Sequence, residues 1–153
     1  MTEPQASVWP PRSIRVIALG LIQDGDRLFV GEGFDRTKQQ TFYRALGGGV
    51  EFGETSEVAL QREFEEEVGA ALTNIRYLAT IENIFTFNGN PGHEIIQLYR
   101  CDFVDRHLYE QDSVLFTEGD FKKTAVWVAI DRFLSGELRL VPEQCLQYLS
   151  RFG

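Results

Sequence analysis

Residues 47–70 read GGGVEFGETSEVALQREFEEEVGA. From Ser56 to Val68 there is neither Gly nor Pro, and helix formers dominate. Thr55 or Ser56 is placed to cap a helix, Glu57 suits the positive end of its dipole, and Gly69 is the expected stop. At about 100° per residue, Glu63, Glu66 and Glu67 fall at roughly 0°, 300° and 40°, on one face. Leu60, Phe64 and Val68 fall at roughly 60°, 100° and 140°. They make the apolar stripe predicted to dock on a sheet, so the carboxylate face borders the buried one.

Residues 48–70 hold seven Glu and one Arg, a net of −6 out of −8 for the whole chain of 153 residues. Like charges at i,i+4 repel, so the cluster is either an exposed solubilising face or a site that a cation neutralises. A solubilising face predicts Lys or Arg interspersed along it, yet Arg62 is the single base between residues 51 and 75. The triple glycine ahead of the helix permits unusual backbone angles and close approach of the main chain to a ligand. Carboxylate oxygens on a fixed scaffold suit hard divalent ions, Mg²⁺ or Mn²⁺.

Working outward, residues 14–22 (IRVIALGLI) are rich in β-branched residues and read as a central strand. Asp24-Gly25-Asp26 is turn chemistry, and residues 27–31 resume as its hairpin partner. Residues 32–42 read as a polar surface loop, and Tyr43 to Leu46 as a short extended piece. Residues 72–87 and 94–104 read as a second hairpin around Asn88-Gly89-Asn90-Pro91-Gly92, with Ile95, Gln97, Tyr99, Cys101 and Phe103 on one face. An acidic loop over 105–121, a strand over 124–130, a helical turn over 131–134 and a C-terminal helix over 142–152 complete the reading. Strands on either side of one helix, closed by another, imply an α/β fold with a mixed sheet sandwiched by helices. Residues 1–13, polar and carrying Pro4, Pro10 and Pro11, are expected to form a flexible leader, leaving 14–153 as a single domain.

A chain 43% hydrophobic and 25% charged is neither disordered nor a disulfide-dense scaffold. No run approaches the roughly 18 apolar residues of a membrane span, and the N-terminus lacks the basic-then-apolar order of a signal peptide. Cys101 and Cys145 lie far apart and read as buried free thiols of a reducing, cytoplasmic protein. His93 and His107 are isolated, which argues against zinc. A net charge of −8 disfavours a grip on nucleic acid polymers. It leaves room for a small phosphorylated substrate when a divalent cation mediates.

Gly48, Glu54, Arg62, Glu63, Phe64, Glu66, Glu67 and Gly69 stand at the spacing of the Nudix box, G-x5-E-x7-R-E-U-x-E-E-x-G-U, and the chain resembles that family. Phe64 is aromatic and Ala70 small where the box has bulky aliphatics; both departures touch packing rather than ligation. A third departure is Gly47, where many members carry proline, an exchange expected to loosen the loop. The resemblance implies an α/β/α sandwich with a central mixed sheet that hydrolyses a diphosphate linked to another moiety. It implies Glu63, Glu66 and Glu67 as metal ligands with the Gly48 carbonyl, Glu54 as support in the loop, and Arg62 as the group that holds the box carboxylates in place. Divalent cations then neutralise phosphate oxygens and acidify water, a carboxylate takes the proton, and in-line displacement releases a monophosphate. The box does not settle the base: Glu67 or Glu63 is favoured, with Glu94, Glu110 and Glu118 as other candidates.

The expected substrate is a nucleoside diphosphate derivative, ADP-ribose or a nucleotide sugar. A noncanonical nucleoside triphosphate is also admissible, and a catalytically silent module that senses a nucleotide is the alternative. Arg44, Tyr43 and Glu94 are the candidate substrate contacts, Arg44 serving either a phosphate or the solvent. Arg15 and Arg27 are candidates for phosphate or for structural charge. Tyr43, Phe85, Phe87 and Trp127 are candidates for base stacking or for core. The stretch 32–42, with Arg36 and Lys38, is expected to be a cationic flap. No membrane partner is expected, and fold-level analogy suggests a homodimer.

Overall fold

The computed structural model describes residues 9–150, so most of the expected leader lies outside the described residues. Strand β1 (Ile14–Leu21) is the centre of a four-stranded mixed sheet. It pairs antiparallel with β5 (Leu46–Gly49) and parallel with β7 (Asn90–Phe103), and β7 carries β6 (Leu72–Phe87) on its far side. A strand covered on both faces reads as continuous apolar sequence, which is why Ile17 through Leu21 are all buried. A second, antiparallel sheet joins β3 (Arg27–Asp35) to β2 (Gln23–Asp24), β4 (Gln40–Arg44) and β9 (Phe121–Ala129), with β8 (Ser113–Glu118) beyond β9.

The expected helix is present as α1 (Ser56–Val68), with the Thr55 hydroxyl accepting the Val58 N–H at 3.3 Å and left-handed Gly69 ending it. Its Ala59, Leu60 and Phe64 are fully buried among Ala18, Phe29, Leu46, Cys101 and Phe103. Burial of side chains such as Leu60 and Phe64 contributes about 1.5–3 kcal/mol each. The alternate residues of the same strands, among them Ile17, Leu19, Ile96 and Leu98, face a second core closed by Phe133 of helix α2 (Ile130–Leu134) and by Cys145. Helical segments thus cover both faces of the strand layer, the expected α/β/α order. Both cysteines are buried free thiols, as read from the sequence, and burial pushes Cys101 up to about 12 and Cys145 up to about 11.

Several boundaries differ from the sequence reading. The first hairpin is formed by β2 and β3, not by β1 and β3, because β1 is taken up between β5 and β7. Residues 32–42 are mostly strand: β3 continues to Asp35 and β4 starts at Gln40. Their turn is tied down, since the buried Asp35 carboxylate accepts the N–H groups of Thr37, Lys38 and Asn88, and Lys38 Nζ reaches the Thr86 carbonyl at 2.8 Å. The acidic stretch 105–121 contains a 3-10 helix (Arg106–Glu110) and β8, whose Phe116 is buried. The expected C-terminal helix is a 3-10 segment, Glu143–Tyr148, and residues 151 and 152 lie outside the described residues. At its end the Tyr148 carbonyl accepts from Arg100 at 2.9 Å, and just beyond it the Ser150 carbonyl accepts from Gln23.

Gly47–Gly49 lie in β5, paired with Leu19, Ala18 and Ile17, rather than in a loop. Gly47 has φ 153°, and a Cβ there would lie 1.9 Å from the Ala18 carbonyl oxygen. A side chain at position 47 would clash with β1, so glycine is what fits this strand pair. Gly47→Ala is expected to destabilise the fold by about 2–4 kcal/mol, read as a shift in the urea midpoint. An unchanged midpoint would refute the clash.

Candidate active site

Arg62 organises the acidic segment with all five of its N–H groups. Nε and Nη2 take the two oxygens of Glu54 at 3.1 and 2.7 Å. Nη1 donates to Glu63 at 2.9 Å and Glu66 at 3.2 Å, and Nη2 also reaches the Gly49 carbonyl at 2.9 Å. The Glu54 carboxylate additionally accepts the Glu51 N–H at 2.9 Å, which folds the loop before the helix back on itself. These bonds from Arg62, then from Glu51, hold Glu54 below the usual carboxylate range, and the same Glu54 contact holds Arg62 still more firmly protonated. Arg62 and Glu54, both nominated from the sequence, are thus in direct contact. Ser56 and Tyr99, which the sequence reading did not bring together, bond hydroxyl to hydroxyl at 2.5 Å and pin the start of α1 to β7.

Glu63 and Glu67 face the sheet side of this network. The Glu63 carboxylate lies so close to β5 that a Cβ on Gly48 would meet its Cδ at 2.4 Å. Burial first, then a hydrogen bond to Glu63, pushes Glu67 up to about 9, so Glu67 keeps a proton at neutral pH. Glu118, on β8, adds to the same repulsion. Glu66 is mostly exposed and turns toward Arg62. Among the described residues no three acidic, imidazole or thiol groups converge as a ready cage. Like-charged groups have instead turned to a guanidinium or a proton. The donor set nevertheless fits a divalent cation: hard oxygens one helical turn apart, a glycine strand close against Glu63, and a carboxyl whose burial and like-charged neighbours raise its proton affinity.

Glu94 is 2% exposed and is bonded by Arg44 at 2.8 Å, Asn83 at 3.3 Å and Arg15 at 3.4 Å. Asn83 was not legible as a partner because only strand register sets it beside Glu94. Tyr43 is half-buried on Phe133 and donates its hydroxyl to Glu32 at 3.1 Å. Arg27 is tied to Asp24 and the Tyr109 carbonyl, and Trp127 packs on Phe29 with its indole N–H on Leu108 O. Phe87 stacks edge-on against Phe42 across the two sheets, and Phe85 lies over Gly92. His107 and Glu110 are exposed on the 3-10 helix.

A family model described as NUDIX domain matches residues 11–149. Among solved structures, a MutT NUDIX hydrolase from Burkholderia pseudomallei is 24% identical, with a TM-score of 0.57 over 78% of this chain and 86% of that one. A NUDIX hydrolase from Nitrosomonas europaea is 20% identical, with a TM-score of 0.56 over 88% and 87%. A NUDIX-family hydrolase from Clostridium perfringens is 15% identical, with a TM-score of 0.58 over 88% and 92%. At these identities the structural likeness speaks to the fold.

Two outcomes follow from the geometry. Gly48→Ala drives a methyl into the Glu63 carboxylate and should weaken Mn²⁺ binding about 10- to 100-fold, the usual cost of disturbing a ligand's support; an unaltered Mn²⁺ titration would refute the contact. The second concerns pH in EDTA. The folded value of Glu67, about 9, exceeds the ordinary 4.5, so the native state retains a proton that the unfolded chain releases. The stabilisation is complete below about 4.5 and is lost as pH rises toward about 9. Glu67→Gln, permanently neutral, should flatten that slope in urea melts, and parallel slopes for the two proteins would count against the assignment.

Proposed function

Because the chain belongs to the NUDIX family and is a pyrophosphohydrolase of that type, we propose that it cleaves the diphosphate bond of a nucleoside diphosphate derivative. ADP-ribose and nucleotide sugars are the favoured forms, with a nucleoside monophosphate as product. We assign Mg²⁺ or Mn²⁺ to Glu63, Glu66, Glu67 and the Gly48 carbonyl. The observation that carries this reading is the box itself. One guanidinium orients Glu54, Glu63 and Glu66, while Glu67 shares a hydrogen bond with Glu63 against Gly48.

When bound, the cation supplies charge neutralisation of the phosphate oxygens and lowers the pKa of water. The protein's part is orientation and proton handling. Arg62 keeps Glu63 and Glu54 from relaxing into solvent, so the carboxylates need no rearrangement as charge develops. Removal of the proton from the attacking water falls to a box carboxylate. Glu67 is favoured over Glu63, because Glu63 is engaged by Arg62 at 2.9 Å, whereas Glu67, once its own proton has left on cation binding, has the raised proton affinity that suits it to take one from water.

Glu67→Gln should lower kcat by about 10²- to 10⁴-fold while the melting temperature is not lowered. EDTA should abolish phosphate release from a panel of dinucleotides and nucleotide sugars, and Mg²⁺ should restore it. Turnover that persists in EDTA, or in the Gln variant at the wild-type rate, would defeat the reading.

A further inference from the structure

Beside the glutamate box lies a charged cluster that the chemistry above does not use. Glu94 on β7 is almost wholly buried, with Arg44 and Asn83 on one carboxylate oxygen and Arg15 on the other. Register explains two of the three contacts, since Arg15 on β1 and Asn83 on β6 are the direct neighbours of Glu94 across β7. Arg44 comes from β4, in the other sheet, so the cluster stands where the two sheets meet. One carboxylate is thus matched by two guanidiniums, and a positive charge is left over.

That excess is out of keeping with a merely structural ion pair. A buried carboxylate requires one partner; a second arginine adds desolvation without a second anion in hydrogen-bond contact among the described residues. Burial indeed holds Arg15 below its usual value despite the attraction of Glu94. Each guanidinium gives one N–H to Glu94 among the described residues, and the two side chains remain 26% and 27% exposed. Trp9 backs Arg15 with its ring 4.4 Å from the guanidinium carbon, which leaves the N–H edge open. The cluster also adjoins the box. Val16, next to Arg15, accepts the Val50 N–H at 2.9 Å, and Arg44 precedes Gly48 by four residues. Glu63 and Glu118 both act electrostatically on Arg15.

We propose that Arg15 and Arg44 form a phosphate-binding subsite, fixed by Glu94 as a positioning residue, for the part of a diphosphate that the box does not hold. The proposal rests on the reading of the substrate as a diphosphate and adds the groups that grip it. Two planar donors clamped on one carboxylate are preorganised, so little rotamer freedom is lost when an anion arrives.

Methylenediphosphonate, which is not hydrolysed, serves as probe in calorimetry with Mg²⁺, and Mn²⁺ affinity is followed separately by paramagnetic resonance. Arg15→Ala and Arg44→Ala should each weaken diphosphonate binding about 10- to 100-fold, the size of a charge-assisted contact. Glu94→Gln should weaken it about 10-fold, and Arg44→Lys, which keeps charge but loses the fork, should recover only part of the Arg44→Ala loss. Arg106→Ala, at an exposed site on the 3-10 helix, should leave it unchanged. Mn²⁺ affinity should stay within about twofold throughout. With a substrate in hand, KM should rise more than kcat falls. Unchanged diphosphonate affinity in both alanine variants overturns the subsite. So does a parallel loss of Mn²⁺ affinity, because the arginines would then act on the box. If Glu94→Gln fails to fold, the Arg44→Lys and Arg44→Ala pair carries the test. A wild-type chain that binds the diphosphonate through these arginines yet hydrolyses no nucleoside diphosphate would remove the proposed activity and uphold the subsite.

Discussion

The Arg62 guanidinium, with every N–H engaged, is the contact on which the acidic segment depends. It spans three carboxylates and one backbone carbonyl, linking the loop before α1, the helix itself and β5. Lysine has a single ammonium and no planar fork, so it could not join Glu54 bidentately while reaching Gly49. Without that fork, Glu54, Glu63 and Glu66 would repel one another toward solvent, and the loop from Val50 to Thr55 would lose its anchor. A segment with net charge −6 therefore folds because one cation is placed where several anions converge.

The frame around that contact is two sheets held at a fixed separation. Near the box they are joined by Arg44 on Glu94; farther out, the turn after β3 is tied to the turn before β7 through Asp35 and Asn88. Phe42 on Phe87 and Lys38 on Thr86 extend the same seam. A stretch rich in Arg36, Thr37 and Lys38 is thereby made part of the frame, since its polar groups are satisfied by the opposite hairpin rather than by water. Buried polar groups of this kind are costly unless bonded, and Asp35 is bonded from three main-chain donors.

The box was legible in the sequence because its determinants are local. Helix period, cap and stop fix α1, and the i, i+3, i+4 relation places Glu63, Glu66 and Glu67 together. The second hairpin was legible for the same reason, its turn being written in Asn88 and Gly89. What escaped was set by pairing between distant segments. Nothing in residues 14–22 tells that β1 takes β5 and β7 as neighbours and leaves β3 to the two-residue β2. Polar residues 32–42 and acidic residues 105–121 hid strands because their side chains point outward while only Phe116, Asp35 and a few others turn in. Asn83 and Arg15 could be placed beside Glu94 only once the register was known.

Charge accounts for the division of labour between the box and the arginine cluster. Of the four carboxylates Glu54, Glu63, Glu66 and Glu67, three bond to the one guanidinium, while burial and its like-charged neighbours raise the proton affinity of Glu67. A divalent cation would displace the proton held there, since its ligands must be deprotonated. Even so, an acidic site that had just bound one ion would still repel a diphosphate approaching with its own negative charge. Positive charge must therefore stand nearby that the box carboxylates do not consume. Arg15 and Arg44 meet that condition because Glu94, buried on β7, neutralises only one of them. The separation also matters in the reverse sense: Glu63 and Glu118 attract Arg15, and an Arg15 free to swing toward them would compete with the cation. The bond to Glu94 holds Arg15 back.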